Sequence, residues 1–106
     1  MDDEKALLIF KALSNEVRLK IVNMLKEPDE NFQHQIESHQ SEDYDGGVCV
    51  KNIREKIDLG QSTTSQYLSL LEESGLLEKR RSGQWTYYRR NEETIKAFED
   101  YIGQRL

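Results

Sequence analysis

At 106 residues the chain has room for one domain with a modest core. No apolar run approaches membrane-spanning length, the acidic start Met1-Asp2-Asp3-Glu4 is unlike a signal peptide, and one cysteine forbids an internal disulfide, so a soluble, cytoplasmic protein is expected. The net charge of −5 disfavours a polyanionic partner only until it is divided: residues 1–47 hold 5 cations against 11 anions, residues 48–91 hold 8 against 5, and residues 92–106 hold 2 against 4.

The first helix is expected over residues 2–12, with acids in its first turn favouring the helix dipole and with Leu7, Leu8 and Phe10 leaving apolar surface for a partner. Ser14 or Asn15 caps a second helix whose Val17, Ile21, Met24 and Leu25 share one face, stopped by Pro28. Residues 27–47 are polar, acidic and nearly free of aliphatics, which predicts a long surface loop. His34 and His39, with Glu37, Glu42, Asp43 and Asp45, fall in this loop, but their spacing matches no tight ligand motif and no metal site is expected.

Val50, Ile53 and Ile57 then recur at helical spacing over residues 51–57, a short helix ending at Asp58-Leu59-Gly60. Its Lys51, Arg54 and Lys56 are available to backbone phosphates. Gly60-Gln61-Ser62 combines a turn with an N-cap signal, and the helix over 62–74 buries Thr64, Leu68 and Leu71 as one stripe. The opposite face is Ser62, Ser65, Gln66 and Ser69, groups suited to phosphates and base edges and poorly suited to burial.

Gly75 stands where a helix C-cap needs positive φ, Leu76-Leu77 open an extended run to Arg81, Ser82-Gly83 is a turn, and residues 84–90 return as a strand. Lys79, Arg80, Arg81, Arg89 and Arg90 lie on this hairpin, with Arg81, Ser82, Gly83 and Gln84 at its tip. Charged edge strands also simply deter aggregation, but a basic hairpin directly after a polar-faced helix has the form of a DNA-reading unit. The expected contact set is Gln61, Ser62, Thr63, Ser65, Gln66 and Ser69 on the helix and Lys79, Arg81, Ser82, Gly83 and Gln84 on the wing at residues 76–90.

A last helix from about residue 91 carries Ile95, Phe98, Tyr101, Ile102 and Leu106 as a stripe. A homodimer seam through Leu7, Leu8, Phe98, Tyr101 and Ile102 would bury the surplus of both terminal helices and set two reading heads about one DNA turn (~34 Å) apart. The expected fold is α+β: one winged helix-turn-helix domain over residues 1–106, with five helices and a two-stranded wing. The competing expectation is a winged-helix module that docks a protein partner through its acidic surface and never touches DNA.

Cys49, between valines at the start of a helix, reads first as a small buried hydrophobe. The helix N-terminus and Lys51 also make it a candidate redox sensor. A Cys49, His39, Asp43 catalytic set would draw two members from the acidic loop, and no glycine-rich phosphate loop is present, so neither catalysis nor a cofactor is expected.

Three segments together resemble the ArsR/SmtB family of winged-helix repressors: FKALSNEVRLKI at residues 10–21, QSTTSQYLSLL at 61–71, and GLL at 75–77 followed by RSGQWTYY at 81–88. The first is similar to the family's entry to its second helix, the second to its recognition helix, the third to its wing. The resemblance implies a bacterial or archaeal homodimer that represses transcription at double-stranded operator DNA and releases it on a signal; no residue pattern identifies the inducer. The chain departs from the family's metal sensors, which carry Cys-x-Cys on the third helix, because Lys51 stands where the second thiolate would be and a protonated ammonium cannot ligate a soft metal. The family's other metal site draws histidine from the last helix, and residues 91–106 contain none.

Overall fold

The computed structural model describes residues 1–32 and 44–106. Helix α1 (Asp3–Leu13) starts where the Asp2 side chain accepts from the Lys5 N–H at 2.8 Å, and α2 (Glu16–Lys26) starts where Asn15 accepts from the Arg18 N–H at 3.0 Å. Asn15, not Ser14, is thus the cap; the Ser14 hydroxyl instead donates back to the Phe10 carbonyl at 2.7 Å.

The described ends of the stretch expected to be a loop are more ordered than a solvated loop. Pro28 does not merely stop α2 but opens a further turn, α3 (Pro28–Asn31), since its fixed φ suits a first helical position. Phe32 and Tyr44 are buried, at 5% and 4% exposure, so the few aromatic residues of this acidic stretch are taken into the domain. Asp45, the one described member of the histidine and carboxylate group, is exposed; His34, Glu37, His39, Glu42 and Asp43 lie outside the described residues.

Val48–Cys49 forms a short strand, β1, before α4 (Val50–Ile57). The wing is therefore part of a three-stranded antiparallel sheet of order β1-β3-β2, with β2 at Leu77–Ser82 and β3 at Trp85–Arg90, and not a free two-stranded hairpin. Val48 pairs with Tyr88 and Cys49 with Tyr87, so alternation sends Val48 and Tyr88 into the main core and Cys49 and Tyr87 into a second cluster with Tyr44. A two-residue strand has no periodicity to read. Its register exists only through β3.

Helix α5 (Gln61–Glu73) follows a tight reversal at Asp58, whose φ of +56° is left-handed, and Gly60 is its N-cap with no side-chain cap bond. Thr64, Leu68 and Leu71 are buried as its periodicity predicts. Leu68 and Leu71 meet Ile9 of α1, Ile21 of α2, Ile53 of α4 and Leu76 and Leu77 beside the wing in one core, each large aliphatic contributing about 1.5–3 kcal/mol by leaving water. Gly75, at φ +89°, ends the helix as expected. The last helix, α6 (Glu92–Arg105), is capped by Asn91 accepting from the Thr94 N–H at 3.2 Å.

Candidate nucleic-acid interface

Burying one stripe of α5 leaves the other outside. Gln61, Ser62, Ser65, Gln66 and Ser69 are exposed and Thr63 is half-buried, a surface of amides and hydroxyls with no carboxylate among them. Because Gly60 supplies no capping side chain, the first N–H groups of α5 receive no side-chain cap from it and the helix begins electropositive.

Between this helix and the wing lies a groove of about 220 Å³ lined by Val50, Lys51, Arg54, Gln61, Ser65 and Trp85. It combines two cations and an indole face with the start of α5 and has no acidic residue in its wall. Trp85, absent from the expected contact set, enters because the register pairs it with Ser82 and returns it from the tip toward α4. An aromatic residue one position after the turn was the available sequence signal.

The tip is a two-residue turn. Gly83 has φ +62° and Gln84 does not have positive φ, the pattern of a type II′ connection, and Arg81, Ser82, Gly83 and Gln84 are all exposed. The hairpin cations are not equivalent. Lys79 lies 3.5 Å from Glu72, Arg89 pairs with Glu78 at 2.6 Å, Arg90 with Glu92 at 3.0 Å, and the Arg80 guanidinium lies 4.9 Å from the Tyr44 ring centroid. Arg81 has no ion-pair partner among the described residues.

Tyr44 is held over the back of the wing, where the Arg89 guanidinium is 4.0 Å from its ring centroid and Arg89 also donates to the Asp45 carbonyl at 3.1 Å. Burial, aided by Glu78, pushes the Tyr44 hydroxyl above its ordinary pKa against the opposing pull of Arg89 and Arg80, so it remains a neutral phenol. Cys49, at 0% exposure, packs in the cluster of Tyr44, Tyr87 and Trp85.

The terminal helices pack on each other first. Phe98 is 9% exposed and meets Phe10 edge-to-face at 5.0 Å, while the half-buried Tyr101 donates to Asp3 Oδ1 at 2.6 Å. Leu7 and Leu8, at 52% and 49%, and Ile102 remain outside. Of the expected seam, then, Phe98 lies chiefly in the subunit's own core and the two leucines and Ile102 face solvent.

Among the described residues no group of three or more histidines, cysteines and carboxylates is placed to hold a metal, and no helix is long and apolar enough to cross a membrane. No protein-family model matches the sequence. The chain is 46% identical over 95 residues to the HTH-type transcriptional regulator YbzH of Bacillus subtilis, covering 89% of this chain and 91% of that one. It is 36% identical to the arsenical resistance operon repressor of Escherichia coli, covering 76% of this chain and 55% of the repressor. Among solved structures it resembles HlyU from Vibrio cholerae, with a TM-score of 0.65 at 27% identity over 96% of this chain and 94% of that one. It also resembles the homodimeric winged helix-turn-helix DNA-binding domain Mb0332 from Mycobacterium bovis, with a TM-score of 0.66 at 25% identity over 96% and 84%. These relationships decide for DNA against a purely protein-docking module: the chain is a winged helix-turn-helix, non-enzymatic, DNA-binding transcriptional regulator, and it belongs to the ArsR family.

Proposed function

We propose that the protein acts in the cytoplasm as a homodimeric repressor of a two-fold-symmetric operator. The outward face of α5 enters the major groove with Gln66 on a base edge, the wing tip follows the backbone with Arg81 on phosphate, and the Lys51–Arg54–Trp85 groove receives the strand between them. The observation that carries this reading is the coincidence, on one side of the molecule, of a helix face free of carboxylates from Gln61 to Ser69, an electropositive helix start and a groove walled by cations without acids.

The dimer is supported by the exposed Leu7, Leu8 and Ile102 on helices that already pack together, and by the homodimeric description of the Mb0332 domain. Repression is supported by the likeness to the arsenical resistance operon repressor, whereas the chain is also 29% identical to the transcriptional activator HlyU of Vibrio cholerae. Footprinting on the region upstream of the protein's own gene, followed by transcription in vitro from that promoter, tests both parts. The expected result is a symmetric protected site and a lower transcript yield. An unprotected region refutes the operator assignment, and a higher yield makes the protein an activator.

A further inference from the structure

Helix α1 carries the surface proposed for dimerisation and α5 carries the surface proposed for reading DNA, and one side chain from a third helix touches both. The Arg18 guanidinium donates through Nε to the Ala12 carbonyl at 2.7 Å and through Nη2 to the Lys11 carbonyl at 3.3 Å. These are carbonyls of the last turn of α1, where a cation is favoured, and the Lys11 carbonyl also accepts from the Ser14 N–H at 3.2 Å. The same guanidinium lies 5.2 Å from the centroid of the Tyr67 ring on α5, within cation–π range. Asn15, whose side chain caps Arg18's own helix, donates to the Tyr67 hydroxyl at 3.4 Å.

The half-buried Tyr67 is the neighbour in sequence of Gln66 on the exposed reading face. Its ring is fixed by α2 on one side, and α2 is fixed by Arg18 to the end of α1. Neither Lys nor Gln can replace Arg here, because two carbonyls and a ring face must be met at once by a planar, charged fork.

From this geometry we infer that Arg18 is a positioning residue that sets the angle of the recognition helix against the dimer helix, and so fixes the spacing between half-sites that the two subunits read. The inference rests on the dimeric operator reading proposed above. In a dimer built through α1, a change in the tilt of α5 moves both reading heads in opposite senses, so the half-site separation is the quantity most exposed to this contact.

The test is selection of bound duplexes from a random double-stranded pool by the full chain, with the distribution of half-site spacings read by sequencing. Wild type selects paired half-sites at a single spacing. Arg18→Gln selects the same half-site sequence at a broadened range of spacings, and binds the wild-type winner roughly 2- to 30-fold more weakly. Tyr67→Phe, which keeps the ring and drops the hydroxyl, retains the wild-type distribution, and Tyr67→Leu reproduces that of Arg18→Gln from the other side of the contact. Because Tyr67→Leu disturbs a different helix, it carries the test if Arg18→Gln does not fold. A purely structural role lowers the melting temperature and the affinity for all duplexes together and leaves the spacing distribution sharp, and that result, in the folded variants, overturns the inference. Failure of wild type to select paired half-sites at all overturns the dimeric reading beneath it.

Discussion

Lys79 Nζ lies 3.5 Å from the Glu72 carboxylate, tying the first wing strand to the last turn of the recognition helix. The pair is exposed enough for water to screen it, so it contributes no more than about 1 kcal/mol, but it offsets the charge that a phosphate would otherwise meet. Arg81, two residues nearer the tip, is not offset in this way. Arg81→Ala is therefore expected to reduce the salt slope of DNA binding by about 1 for each phosphate it no longer neutralises and to weaken specific and random duplexes alike, and Lys79→Ala to do so less. A larger loss of affinity for Lys79→Ala, measured by fluorescence anisotropy across a salt series, contradicts this ranking.

The helix face and the groove act on different parts of DNA. If each subunit neutralises ~3 to 4 phosphates through Arg81, Lys51, Arg54 and the helix start, the logarithm of dimer affinity falls against the logarithm of salt with a slope of about −5 to −7. Gln66→Ala is expected to cost roughly 1–3 kcal/mol on the selected operator and little on random DNA, leaving the slope unchanged. Equal losses on both DNAs would remove Gln66 from base reading.

Leu8 and Phe98 occupy the same pair of helices but face opposite ways. Phe98 is buried against Phe10, so Phe98→Ala should cost about 3–5 kcal/mol of folding stability whatever the oligomeric state. Leu8, at 49% exposure, has little to lose in the isolated subunit, and Leu8→Glu is expected to give a folded monomer by placing a charge in the seam. Sedimentation velocity with circular dichroism separates these outcomes, and an intact Leu8→Glu dimer would move the interface elsewhere.

Three left-handed positions make a graded set in urea denaturation. Asp58, at φ +56°, is expected to gain up to about 1 kcal/mol on replacement by glycine, which has no Cβ to strain. Gly83→Ala, in open space at φ +62°, should lose about 1 kcal/mol from backbone strain alone. Gly75→Ala should lose more than Gly83→Ala, because at φ +89° its Cβ would also come within 2.9 Å of Lys5 Nζ and 3.3 Å of Thr94 Cγ2. A lower midpoint for Asp58→Gly at unchanged m would show that the aspartate contributes something its backbone strain does not explain.

Cys49 sits behind Tyr44 rather than at an open helix start, so in the native protein its thiol should react slowly with a disulfide reagent and faster in Tyr44→Ala. Zinc and arsenite are expected not to release operator DNA through this residue, because one sulfur beside Lys51 offers too few donors. Wild type and Cys49→Ser compared on operator DNA decide the matter. Metal-driven release abolished in Cys49→Ser would reverse this expectation, and peroxide-driven release lost in the same variant would make the thiol a redox sensor.

The residue pattern by itself determined the five longer helices, the buried stripe Thr64, Leu68 and Leu71, the positive φ at Gly75 and the turn at Gly83, because helical period, capping and left-handed backbone are set by residues within a few positions of one another. It also determined the polar outward face of the recognition helix, which is the complement of that stripe. The tertiary structure alone decided that Val48–Cys49 is a strand, since two residues become extended only by pairing with Tyr87 and Tyr88 nearly forty positions away. It decided in the same way that Tyr44 leaves an acidic stretch to stack on Arg89, that Trp85 joins Lys51 and Arg54 in one groove, and that Phe98 turns inward while Leu7 and Leu8 do not. Which wing cations are neutralised follows from the same cause: Lys79 and Glu72 are brought together by where strand and helix pack, and charge composition along the chain carries no record of that distance.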